Sequence, residues 1–151
     1  MPERDFYQVS LKAILRNSKS EVLILGADSR GTFAGYFDLP GGRIDTTEFA
    51  TPLGDILKRE IAEELQLSDI KISPVPVAVG RHEIEARFSK TNTAIRVFLV
   101  FFEAQLLSGE PVMSSEHSSM RWVNLHEVNV AELFKSGIRQ GIEMYLSRPN
   151  G

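Results

Sequence analysis

Apolar and polar positions along this chain repeat with period two in several short stretches and at helical spacing in two longer ones. Tyr7, Val9, Leu11, Ala13 and Leu15 alternate with mostly polar neighbours, the pattern of a half-buried strand. Asn17 to Ser20 reads as a turn, and Glu21 to Leu25 as the returning strand of a hairpin. A polar loop at Asp28 to Gly31 leads into a short apolar segment (Tyr36, Phe37, Leu39) that ends at Pro40-Gly41-Gly42. Thr51 then reads as a helix N-cap with Pro52 at the first helical position. From there Leu53, Leu57, Ile61 and Leu65 recur every fourth residue, the core stripe of an amphipathic helix. Ser73 to Pro76 breaks the chain, Val77 to Val79 starts a strand, and His82, Ile84, Ala86 and Phe88 alternate up to a turn at Ser89 to Asn92. Ile95 to Leu107 is too β-branched and aromatic for a helix and predicts a central strand. Met120 to Val123 is a short strand carrying the only Trp, and Val130 to Leu146 has a helical pattern weakened by Gly137 and Gly141. Strands around two helices, without regular βαβ alternation, predict an α/β fold whose mixed sheet has helices on both faces.

Composition narrows the class without naming a function. With 151 residues, 42% apolar and 25% charged, the chain is long enough for one domain spanning 1–151 with a real core. It has no cysteine, which excludes a disulfide scaffold, thiolate zinc and a cysteine nucleophile. Its N-terminus has no apolar signal core and no run approaches membrane length, so a cytoplasmic protein without membrane association is expected. A net charge of −3 gives no general affinity for nucleic acid, so an anionic small molecule would have to be attracted locally.

The candidate chemistry lies in the first helix. Glu60, Glu63 and Glu64 stand at i, i+3 and i+4 and share an arc roughly 100° wide. Taken alone, such a triplet is ordinarily a solvated acidic face. Beside a Gly-rich turn it suggests a site for Mg²⁺ or Mn²⁺, which take oxygen ligands from a few carboxylates and from substrate phosphates. The turn offers a backbone carbonyl from Gly41 or Gly42, and Arg59 is placed to orient a carboxylate.

At these residues the chain resembles the Nudix hydrolases. Their signature is a Gly, five residues, a Glu, seven residues, and then Arg-Glu-aliphatic-x-Glu-Glu-x-Gly-aliphatic. Here Gly42, five residues and Glu48 are followed by Arg59-Glu60-Ile61-Ala62-Glu63-Glu64-Leu65-Gln66-Leu67. Ten residues, not seven, separate Glu48 from Arg59, and Gln66 replaces the closing glycine. The extra residues fall in Phe49 to Gly54, so the glutamate register is intact and the question is whether Glu48 still reaches its supporting position. The resemblance implies an α/β/α sandwich and metal-dependent hydrolysis of a nucleoside diphosphate linked to another moiety. It also implies catalytic and metal-binding roles for Glu60, Glu63, Glu64 and Arg59, a turn carbonyl at Gly41, and support from Gly42 and Glu48. The alternative is an inactive nucleotide-binding or regulatory module of the same fold, against which the three intact carboxylates count. A homodimer is left open.

Further residues invite a functional reading. Glu116 lies where many of these enzymes place another acidic ligand or base, and an exposed loop glutamate is the competing reading. Arg81 and Trp122 are candidate substrate contacts, although Trp122 also suits the core. Asp38 is a candidate for supporting the metal shell through water, and His117 and His126 are expected at the surface. Within the helix, Glu64 lies nearer the apolar stripe than Glu63 and is expected to be the more buried ligand. No marker of a substrate branch is present, so the substrate is left unassigned.

Overall fold

The computed structural model describes residues 2–27 and 33–149. Its centre is a long strand pair. Strand β1 (Gln8–Arg16) runs parallel to β7 (Ile95–Leu106) over its whole length, from Gln8 opposite Val97 to Arg16 opposite Gln105. On the far side of β7 lie β6 (Ala78–Ile84) and the short β5 (Ile70–Ile72), both antiparallel. The other side of β1 meets β4 (Gly41–Arg43). Strand β2 (Val22–Ala27) touches β1 only at Arg16 opposite Val22, and pairs instead with β3 (Phe37–Asp38) and β8 (His117–Val123). Among the described residues the sheet is therefore mixed and eight-stranded, as the α/β reading requires.

Side-chain alternation divides the core between two faces. Leu11, Ala13, Leu15, Leu23, Leu25 and Phe102 meet helix α1 (Leu53–Leu65) through Ile56, Leu57, Ile61 and Leu65. Ile14, Val22, Ile24, Leu99 and Phe101 meet α2 (Val130–Leu133) and α3 (Ser136–Leu146) through Phe134, Ile138 and Ile142. Helices on opposite faces give the expected sandwich.

Several local expectations need correction. Pro52, not Thr51, is the cap of α1, with an extended ψ of 141° and a carbonyl that accepts from Asp55 and Ile56. Leu53 is then the first helical residue, 42% exposed at the helix end, and Ile56 joins Leu57, Ile61 and Leu65 in the core. Strand β1 is not half-buried, because α1 covers one of its faces at Leu11, Ala13 and Leu15 and the α3 side covers the other at Ile14. Ala86–Phe88 forms a 3₁₀ turn, so β6 ends at Ile84. The region 130–146 is two helices, broken at Phe134-Lys135. The polar loop expected at Asp28 to Gly31 lies outside the described residues.

Gly137 and Gly141 are packing devices as well as weak helix formers. A Cβ on Gly141 would enter the ring of Phe101, and one on Gly137 would strike Leu99 and the carbonyl of Arg81. Gly80 on β6 is constrained in turn by the carbonyl of Gly137. Helix α3 lies close against β6 and β7 for that reason.

Candidate active site

The Gly-rich turn and α1 meet at one end of the sheet. Gly41 has φ +148°, and a Cβ there would collide with the Leu11 carbonyl across the β1–β4 pairing. A Cβ on Gly42 would fall on the carboxylate of Glu60. The two glycines thus let the turn approach β1 on one side and the helix on the other. From this position the Gly41 N–H donates to Glu64 Oε1 at 3.2 Å.

Arg59 organises the outer carboxylates. Its Nε and Nη2 donate to Glu48 Oε2 at 3.1 and 2.7 Å, Nη2 also to Glu60 Oε1 at 3.1 Å, and Nη1 to Glu63 Oε2 at 3.1 Å. Glu48 is fixed from its other side, where Oε1 accepts the Asp45 N–H at 2.9 Å. The insertion is absorbed between the 3₁₀ turn Thr46–Glu48 and the start of α1 at Leu53, so Glu48 reaches the cluster. The Asp45 amide, and after it Arg59, hold the Glu48 carboxyl below the usual range, and the carboxylates in turn raise Arg59.

The three helix carboxylates have different surroundings. Glu63 is 63% exposed and Glu64 only 14%, the predicted order. Burial pushes the Glu60 carboxyl up, with Arg59 opposing. All three open on a cavity of about 350 Å³ whose lining includes Gly41, Gly42 and Glu116. One guanidinium facing this many carboxylates leaves a surplus of negative charge. Oxygen donors in that number, with glycines leaving room for a close approach, fit a hard divalent cation.

His117 is the residue that the sequence reading placed wrongly. It is not at the surface: its side chain is 10% exposed and its Nε2 lies 3.0 Å from Glu64 Oε2. The hydrogen bond to Glu64 raises its pKa, partly opposed by burial. A β-bulge puts it there. Gly26 pairs with Ser119 but Ala27 pairs with His117, so Ser118 is the extra residue. Met120 and Trp122 face the α1 core and Val123 the α3 core. Unbulged alternation would send His117 to the α3 side, and the extra residue returns it to α1. Nothing in the local sequence pattern signals the extra residue.

Arg81, Trp122 and His126 do not line the carboxylate cavity. Arg81 is exposed, bonds Tyr7 Oη at 3.2 Å and lines a separate depression with His82 and Gln140. Trp122 packs on the α1 core and borders another hollow beside Lys19 and Gly109. Asp38 is paired with Lys12 at 3.1 Å, and His126 is exposed as expected.

Comparison with known proteins agrees with this geometry. The model of the NUDIX domain family matches residues 6–144. The chain belongs to the Nudix hydrolases. A nucleoside triphosphatase, NudI, of Enterobacter sp. (strain 638) is 25% identical over 122 residues, covering 80% of this chain and 84% of that protein. The crystal structure of a MutT protein from Methanosarcina mazei Go1 superposes with a TM-score of 0.63 at 25% identity, covering 93% of this chain and 91% of that one. The dihydroneopterin triphosphate pyrophosphohydrolase of E. coli shares the fold, with a TM-score of 0.65 at 18% identity over 93% of this chain and 97% of its own. Among the described residues, no helix of this Nudix chain is long and apolar enough to cross a membrane.

Proposed function

We propose that this Nudix hydrolase cleaves a phosphoanhydride bond in a nucleoside diphosphate attached to another moiety, in a divalent-metal-dependent reaction. One observation carries the proposal: Glu60, Glu63, Glu64 and Glu116 converge with Gly41 and Gly42 on one cavity. Glu63, Glu64 and Glu60, with Glu116 and the Gly41 carbonyl, would hold Mg²⁺ or Mn²⁺. When bound, such an ion neutralises phosphoryl charge and lowers the pKa of its water.

The chain's own groups do the rest. Arg59 keeps Glu60 and Glu63 aimed inward and is itself anchored by Glu48. The Gly41 amide fixes one oxygen of Glu64 and thereby the angle of its carboxylate. Glu60 and Glu116 are the candidates for taking the proton of the attacking water. As water adds to phosphorus, the P–O bond to the bridging oxygen breaks, and that oxygen leaves with the other phosphate fragment.

The NudI relative makes nucleoside triphosphates the first substrates to try, and a cytoplasmic location suits such substrates. The test is a screen of nucleoside triphosphates and diphosphate-linked nucleosides with Mg²⁺ or Mn²⁺, scored by phosphate release after coupled phosphatase. Metal-dependent turnover that EDTA abolishes is expected. Nucleotide binding without turnover of any of these compounds would contradict the proposal.

A further inference from the structure

Resting on the metal-centred hydrolase proposed above, we infer that His117 supplies a nitrogen donor to the metal centre, through the trio Glu64, Glu116 and His117. A carboxylate oxygen from each glutamate and a ring nitrogen of His117 lie within 4.8 Å of one another. The imidazole is nine-tenths buried, its Nδ1 has no hydrogen-bond partner, and its backbone is tied by the His117 N–H to the Ser114 carbonyl at 3.3 Å. A buried polar atom left unpaired is costly unless a ligand completes it.

The ring's other nitrogen fixes its orientation. The His117 Nε2–H donates to Glu64 Oε2 at 3.0 Å, which leaves Nδ1, the unpaired nitrogen, as the donor for the metal. Glu64 Oε1 is engaged separately by the Gly41 amide. The bulge at Ser118 costs the β2–β8 ladder one pairing, and its consequence is to turn this imidazole toward α1.

The ligand class follows from donor softness. The site should therefore bind first-row transition ions more tightly than Mg²⁺, with Mn²⁺ the weakest of that series and the one that also serves as a spectroscopic probe.

The chain has three histidines, His82, His117 and His126, so nitrogen ligation can be assigned. One equivalent of Mn²⁺ would be added to the full chain and observed by electron spin-echo envelope modulation, with and without ¹⁵N-histidine labelling. We expect a nitrogen coupling that shifts on labelling, survives in His82→Gln and His126→Gln, and vanishes in His117→Gln. By calorimetry, His117→Gln should lose at least about tenfold in Mn²⁺ affinity and much less for Mg²⁺. Bound Mn²⁺ without nitrogen coupling, or with coupling that persists in His117→Gln, overturns the inference and leaves the metal-dependent hydrolase standing. An undiminished free-Mn²⁺ signal overturns both. If His117→Gln does not fold, the labelled wild-type spectrum beside His82→Gln and His126→Gln decides.

Discussion

Arg59 grips Glu48 across a lengthened loop, with Nε and Nη2 both donating to Glu48 Oε2, at 3.1 and 2.7 Å. The folded carboxyl titrates below its ordinary value of 4.5, through the Asp45 amide and then Arg59. A lowered carboxyl pKa stabilises the fold above the unfolded pKa and loses that contribution as pH falls through the folded one. Glu48→Gln should therefore melt below wild type at neutral pH, with the difference closing in the acid range. Melts between about pH 7 and pH 3 check this. A difference that widens toward acid contradicts it.

Glu60 gives the opposite sign. Burial raises its pKa, so the folded metal-free state carries a penalty above the ordinary 4.5 that is absent below it. Glu60→Gln should raise the midpoint of the metal-free protein at neutral pH, with a gain that fades on acidification, while turnover falls by orders of magnitude. Parallel melts and rate assays in EDTA and in Mn²⁺ separate the two effects.

Divalent cations should stabilise the fold through the cluster. An ion that binds the folded chain alone at a hundred times its Kd adds about 2.7 kcal/mol, a rise of roughly 5–10 °C for a chain of this size. The wild type should show this with Mg²⁺ or Mn²⁺, and Glu63→Gln/Glu64→Gln much less. Equal shifts in both proteins would return the cluster to a solvated acidic face.

Gln66 closes α1 with φ +57°, its N–H donating to the Ala62 carbonyl, and its side chain is exposed. This is the left-handed position that glycine fills more easily. Gln66→Gly should gain about 1 kcal/mol in denaturant unfolding with no loss of turnover. A loss of stability would mean that the side chain contributes more than the backbone strain costs.

Gly141→Ala should lose about 1–3 kcal/mol from overpacking against Phe101. In Gly141→Ala/Phe101→Leu the loss should be smaller than the sum of the single losses, since the smaller side chain vacates the space. Denaturant unfolding of the four proteins measures that coupling, and strict additivity would show that the contact does not limit packing.

What could be read from the chain was what depends on local spacing. The arc of Glu60, Glu63 and Glu64, and the greater burial of Glu64 than Glu63, follow from helical geometry alone. Gly41-Gly42 reads locally as a turn beside the carboxylates, whereas its close contacts with Leu11 and Glu60 come from the fold. Features set by partners distant in sequence were not legible. The β1 pattern reads as half-buried because nothing local shows that helices cover both of its faces. Leu53 falls on the predicted stripe with Leu57, Ile61 and Leu65, but as the first residue of α1 it lies at the helix end and stays exposed. His117 was placed outside because a single bulge reverses the face of every residue before it.

The parallel pairing of β1 with β7 bears on how the protein is made. Gln8 meets Val97, and the registry continues to Arg16 and Gln105, so β1 cannot complete its main contact until most of the chain has been synthesised. Strand pairings between such distant segments close large loops and slow folding. Until then β1, with Leu11 and Leu15, has an unpaired edge and apolar side chains open to other nascent chains. The strand that supports the Gly41-Gly42 turn is thus made well before the strand that secures it, which ties the assembly of the catalytic end to the emergence of β7.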